Sequence, residues 1–160
     1  MQIHNGRFAG KMEGDFVIFL IGMRINRLLQ FNQWVPVAQA MPRMLVELFQ
    51  RPDMGLLHAS TAVGWRTVIV TQYWRSFEHL HAYAHNKTLA HLPAWAEFNR
   101  RVGGNGSVGI FHETYLVRSG EYECVYANMP RMGLAKAGEM VAAMGRMNDA
   151  RSRLGAKDSA

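Results

Sequence analysis

The stretch Phe16-Val-Ile-Phe-Leu-Ile-Gly-Met-Arg-Ile25 constrains this chain more than any other. It is strand-sized, rich in β-branched and aromatic residues, and free of charge until Arg24. Strand side chains alternate between faces. Val17, Phe19, Ile21, Met23 and Ile25 therefore make one wholly apolar face, while Phe16, Ile18 and Leu20 make a second that turns polar only at Arg24 and Asn26. Such a strand needs cover on both sides.

The remaining pattern supplies the covering elements. Residues 37–50 place Val37, Met41, Met44, Leu45, Leu48 and Phe49 at helical spacing, with Pro36 suited to the first turn and Pro52 as the stop. Strands are expected at 55–63 and 65–74 around a tight turn at Gly64. Ser76 caps a short helix whose first turn carries Glu78, and Asn86 breaks it. A second helix is expected at 87–101, then the breaker Gly103-Gly104-Asn105-Gly106, then a strand over Val108–Val117. A Met/Ala-rich helix is expected near 134–147, with a flexible tail at 148–160.

This order is close to β-α-β-β-α-β. It predicts an α+β, ferredoxin-like antiparallel sheet with helices on one face and an extra C-terminal helix, in a single domain over 7–147. Helices on one side leave the other face of the sheet bare, and a second copy is the simplest cover, so a homodimer is expected.

Composition narrows the function. The chain has 160 residues, 49% hydrophobic and 19% charged, which argues against disorder. It lacks an apolar run of about 18 residues, so no membrane span is expected. Residues 1–15 carry His4, Arg7, Lys11, Glu13 and Asp15 without an apolar core, so a cytoplasmic address is expected. One cysteine, Cys124, leaves no internal disulfide and no Cys-based zinc site. The net charge of +6 is scattered, without basic runs or basic–aromatic alternation, so no nucleic-acid partner is expected.

Polar groups collect toward strand ends in apolar surroundings: Arg24 and Asn26, Gln72 with Tyr73 and Trp74, and His112, Glu113, Thr114 and Tyr115. An apolar cavity with a few convergent polar groups is the default small-molecule site. Pairing of Arg24 with Glu113 inside the fold is the plainer alternative. Parity within a strand does not say which faces match between strands. Four of the seven histidines, His79, His81, His85 and His91, fall within thirteen positions. His81 and His85 share a helical spacing, but no carboxylate is placed to complete a metal site, so none is expected. His91 precedes Leu92, Trp95 and Phe98 on a helix that must pack on the sheet, where a neutral imidazole can shuttle protons or bind haem iron. A satisfied core histidine is the plainer alternative there too. Phosphate-loop, dinucleotide and nucleophile-elbow motifs are missing.

Four segments carry a resemblance: Phe19-Leu-Ile-Gly-Met-Arg-Ile-Asn26, Tyr73-Trp-Arg-Ser76 with His91 downstream, Gly109-Ile-Phe-His-Glu-Thr-Tyr115, and Tyr122-Glu-Cys-Val-Tyr-Ala-Asn-Met-Pro130. Over about residues 7–140 the chain resembles the monooxygenase-like family that includes the fumagillin-pathway polyketide monooxygenase. That family belongs to the dimeric α+β barrel superfamily, beside the antibiotic-biosynthesis monooxygenases. The resemblance implies a homodimer with a pocket between sheet and helices in each subunit. It also implies either cofactor-free oxygenation of aromatic or polyketide substrates or haem chemistry, and Asn26, Trp74 and His91 look like the Asn/Trp/His set of the haem-degrading relatives.

Three readings follow. In the favoured one, a monooxygenase without cofactor, Arg24 and Asn26 stabilise an enolate or phenolate oxygen and His91 or His112 takes the proton. Trp74 and Trp95 stack on a small apolar or aromatic ligand, with Tyr73, Glu113 and Tyr115 completing the binding set. In the second, haem b is bound with His91 as axial ligand and His112 or Arg24 on the distal side or near a propionate. In the third, the protein carries an apolar ligand without turnover.

Overall fold

The computed structural model describes residues 1–89 and 91–154, apart from the side chains of Arg101 and Arg146. The expected central strand is β2 (Phe16–Ile25), preceded by β1 (Ile3–Lys11). Then come α1 (Phe31–Phe49), β3 (Leu56–Val63), β4 (Thr67–Trp74), α2 (Phe77–His85), α3 (His91–Arg101) and β5 (Val108–Val117). The chain continues through β6 (Tyr126–Pro130), α4 (Leu134–Ala137), β7 (Glu139–Ala142) and α5 (Ala150–Arg153).

Strands β3-β4-β2-β5 form one antiparallel sheet in that spatial order. With α1 after β2 and α2–α3 after β4, this is the ferredoxin-like α+β arrangement. The register settles which faces match. Val17 lies opposite Trp74 and Leu116, Phe19 opposite Gln72 and Thr114, and Ile21 opposite Val70 and His112. All of these share the face under the helices, where Val17, Trp74, Met44, Leu48, Leu56, Leu80, Tyr83 and Leu89 make the largest buried cluster. Phe16, Ile18, Leu20, Arg24, Tyr73, Glu113 and Tyr115 belong to the far face.

Local signals explain the helix ends. Ser76 caps α2 as expected, its hydroxyl accepting from the His79 amide, and Asn86 turns extended to end it. Helix α1 begins at Phe31, earlier than the expected 37, and Pro36 lies inside it. Trp34 holds this first stretch by donating Nε1–H to the Leu28 carbonyl at 3.0 Å and packing beside Met23, Ile25, Val102 and Val108.

The C-terminal part departs from expectation. In place of one helix over 134–147, α4 is a single turn, and Glu139–Ala142 continue as a strand along β1. β1 is itself central to a second, three-stranded sheet, ordered β6-β1-β7. Close backbone approach is the physical reason: a Cβ on Gly138 would stand 2.3 Å from the Lys11 carbonyl oxygen, and one on Gly10 would stand 2.4 Å from the Ala135 nitrogen. These glycines let α4 and β7 close on β1, and the strand ladder outweighs the helical propensity of the Met/Ala stretch.

This module packs on the far face through Met12, Phe16, Tyr73 and Leu134. The sheet is therefore covered by its own chain at one end of that face. Within the expected tail, residues 148–154 carry α5, tied down by Arg153 Nε and Nη2 on the Glu123 carboxylate at 2.6 and 2.5 Å. The expectation for 155–160 lies outside the described residues. Among the described residues no helix is long and apolar enough to cross a membrane.

Beneath the module, His58 is buried and stacks on Tyr73 with planes 8° apart. Burial, then Lys136, lowers its pKa below the ordinary 6.5. As pH falls through about 6.5, the unfolded chain gains a proton that folded His58 refuses, so stability declines until the folded value is passed. The urea midpoint is expected to drop between about pH 7 and about pH 5. His58→Gln should flatten part of that slope, and an unchanged slope would exclude His58 as a cause.

Candidate active-site cleft

Between the helix-side face of the sheet and helices α1–α3 lies a cleft of about 850 Å³. Phe19, Ile21, Met23, Val68, Val70 and Ile110 form its sheet wall. On α2 the lining residues are Phe77, Leu80, His81, Ala84 and His85, spaced i, i+3, i+4, i+7, i+8, so a single stripe of that helix faces the cleft. From α3 come His91, Pro93, Ala94, Trp95, Glu97 and Phe98.

Four imidazoles line these apolar walls: His81, His85, His91 and His112. His91 Nδ1 lies 2.9 Å from the Ala84 carbonyl oxygen. A carbonyl only accepts, so Nδ1 carries the proton and Nε2 is left with the lone pair. Burial lowers the His91 pKa, opposed by the Ala84 carbonyl and assisted by neighbouring His85. His91 is thus a neutral imidazole at pH 7 with a fixed tautomer. Its ring lies 6.0 Å from Tyr83, whose hydroxyl donates to Glu47. Burial first, then that carboxylate, pushes the phenol pKa well up. His112 is exposed on the sheet wall with its ring 5.6 Å from Phe19. Among the described residues no three His, Cys, Asp or Glu side chains are grouped to hold a metal ion.

The residues singled out from sequence divide between the two faces. His91, His112 and Trp95 line the cleft, with Trp95 half-exposed and stacked on Phe98 at 5.4 Å. Trp74 lies on the same face but is wholly buried behind the wall, its Nε1–H donating to Gln72 Oε1 at 2.8 Å. Tyr73, Glu113 and Tyr115 belong to the far face; Tyr73 is buried under the module, and the Tyr115 hydroxyl donates to Glu113. Arg24 donates to Asn26 Oδ1 at 2.5 Å, and Asn26 Nδ2 to the Gly106 carbonyl at 3.1 Å, away from the cleft. The cleft thus contains two of the four proposed catalytic residues. The sequence spacing marks His81 and His85 only as a candidate metal pair. Their signal as lining residues is the helical stripe that runs from Phe77 to His85.

The two tryptophans should separate in a stability measurement. Trp74→Phe removes buried volume and leaves Gln72 Oε1 without its donor, so unfolding should cost about 2 kcal/mol less. Trp95→Phe, half-exposed at the cleft, should stay within about 0.5 kcal/mol. Equal losses by urea denaturation would contradict these placements.

Comparison with known proteins supplies the family. The family model described as monooxygenase af470-like matches residues 16–134. The chain is 29% identical over 137 residues to monooxygenase af470 of Aspergillus fumigatus, covering 78% of this chain and 46% of that protein. It thus spans about half the length of this curated relative. Solved structures of similar shape include SnoaB, a cofactor-independent oxygenase from Streptomyces nogalater, at 10% identity and TM-score 0.47, covering 66% of this chain and 95% of that one. Another is a possible oxidoreductase of unknown function from Bacteroides thetaiotaomicron, at 11% identity and TM-score 0.46, covering 65% of this chain and 99% of that one. With its family model matched from the first residue of β2 to the first residue of α4, the chain belongs to the monooxygenase af470-like family.

Proposed function

We propose that this chain is a monooxygenase-like enzyme that oxidises a small apolar, aromatic or polyketide-like molecule in the cleft with O₂ and no bound cofactor. The observation that carries this reading is His91, a neutral base on an apolar wall with Nδ1 committed to Ala84 and Nε2 left over. Such an imidazole can take a proton from an activated C–H or O–H of the substrate. The resulting carbanion or phenolate is electron-rich enough to reduce O₂. When a CH₂ becomes C=O, O₂ supplies that oxygen and the other leaves as water, so every electron comes from the substrate. His112 is the second proton carrier, and Trp95 with Phe98 is the stacking platform.

Arg24, Asn26, Tyr73, Glu113 and Tyr115 take no part in this chemistry. The uncovered part of the far face, which exposes Phe111 and Tyr115, is in this reading the homodimer surface.

The same hydrogen bond supports a second reading. A histidine whose Nδ1–H is fixed by a carbonyl presents Nε2 as iron-binding histidines do, and the apolar walls suit a porphyrin. His91 would then hold the iron of haem b, which would supply the redox chemistry that these side chains lack.

Oxygen uptake over a panel of anthrones and quinols, with haem-free protein and chelator present, tests the first reading. His91→Ala should lower kcat by about a hundredfold or more with little change in KM. Because burial holds the imidazole neutral, the wild-type rate should be flat at neutral pH and decline only below about 6.5. A Soret band on adding haemin, weakened in His91→Ala, would move the assignment to haem. Ligand binding without turnover on either basis would make the chain a carrier.

A further inference from the structure

The bases of the cleft outnumber its acids. Its titratable lining is Arg43, His81, His85, His91 and His112 against one carboxylate, Glu97. Glu97 is already occupied, since Arg100 Nε and Nη2 reach its two oxygens at 2.9 and 2.7 Å. The closest pair of bases is His81 and His85. They lie four residues apart on the cleft stripe of α2, with ring centroids 4.0 Å apart and planes 26° from parallel. His85 Nδ1 donates to the His81 carbonyl at 2.9 Å, which leaves its Nε2 as the basic nitrogen. Both residues are exposed to the cleft opening. Charged imidazoles this close repel each other, and an anion placed beside them offsets that repulsion. The surrounding walls are apolar, so that anion is best delivered on an apolar body.

We propose that the cleft takes an apolar carboxylic acid, with its carboxylate at the His81–His85 pair and a proton taken up by that pair as the acid binds. This rests on the cleft being the substrate site and adds the head group to that reading. The other charged or titratable groups on the elements around the pair are Arg43 and Glu47 on α1, Asp53 in the turn at Pro52–Met54, His91, Glu97, Arg100 and Arg101 on α3, and His112 on β5, whose Glu113 and Tyr115 belong to the far face. On α2 itself they are Glu78, His79 and Tyr83. Among these, Tyr83 already donates to Glu47, and Arg100 already holds Glu97. Glu97 is therefore already paired with a cation, and Glu47 does not line the cleft.

Three matched fluorescent probes test the idea: anthracene-9-carboxylate, its methyl ester and 9-(aminomethyl)anthracene. Each is titrated into the whole protein in EDTA at about pH 6 and about pH 8. At the lower pH the acid should bind at least about tenfold more tightly than the ester, and the amine most weakly. That advantage should shrink below about threefold at the higher pH and in His81→Asn/His85→Asn, while the ester keeps its affinity in the variant. Calorimetry in buffers of different ionisation enthalpy should read uptake of about one proton with the acid and none with the ester. Equal binding of acid and ester at both pH values overturns the proposal and leaves an apolar cleft. Failure of all three probes to bind overturns it together with the cleft reading. A preference for the acid that appears only without EDTA overturns it in favour of a bound metal.

Discussion

Burial of β2 on both faces is the constraint from which the rest of the molecule follows. Its ten residues pair along both edges, with β4 and with β5, so neither edge is free to reach solvent. One face is roofed by the helices and the other, at its Phe16 end, by the chain's own second sheet. The helical roof meets the sheet tightly around Trp74, Leu48 and Leu80 but stands off around Ile21, Val70 and His112, and the cleft is the space left between.

The four strands of the main sheet were legible because each carries its own evidence. β2 and β4 are dense in β-branched and aromatic residues, and β5 follows a glycine-rich breaker. The second sheet was not legible. Its strands are short, and β1 pairs with partners more than a hundred residues away, Ile3 with Pro130 and Lys11 with Glu139. Nothing in Ile3–Lys11 alone announces a strand whose stability comes from such distant neighbours. For the Met/Ala stretch the local signal pointed the wrong way, because helical propensity is a weak prior beside a backbone edge waiting to be paired.

The site was legible to the same partial degree. Alternation placed Trp74 and Tyr73 on opposite faces of β4, but only the register with β2 says which face lies under the helices. That step moves Glu113, Tyr115 and Tyr73 to the far side and leaves His112 facing the cleft. His91 depended on the spacing of apolar residues along one helix, a local property, which sequence carries well. The Ala84 carbonyl that fixes its tautomer is backbone, and no residue identity at position 84 could have advertised it.

That carbonyl has a second office. Ala84 lies in the last turn of α2, where backbone oxygens have no amide further along the helix to bind, and His91 satisfies one of them from the start of the next helix. The bond that aims the imidazole is therefore also the clasp between two helices that wall the cleft on one side. Any movement that parts α2 from α3 to admit a bulky molecule must break it, freeing the ring to turn and exchange its tautomer. In the proposed oxygenase the base would therefore be aimed only while α2 and α3 stay together.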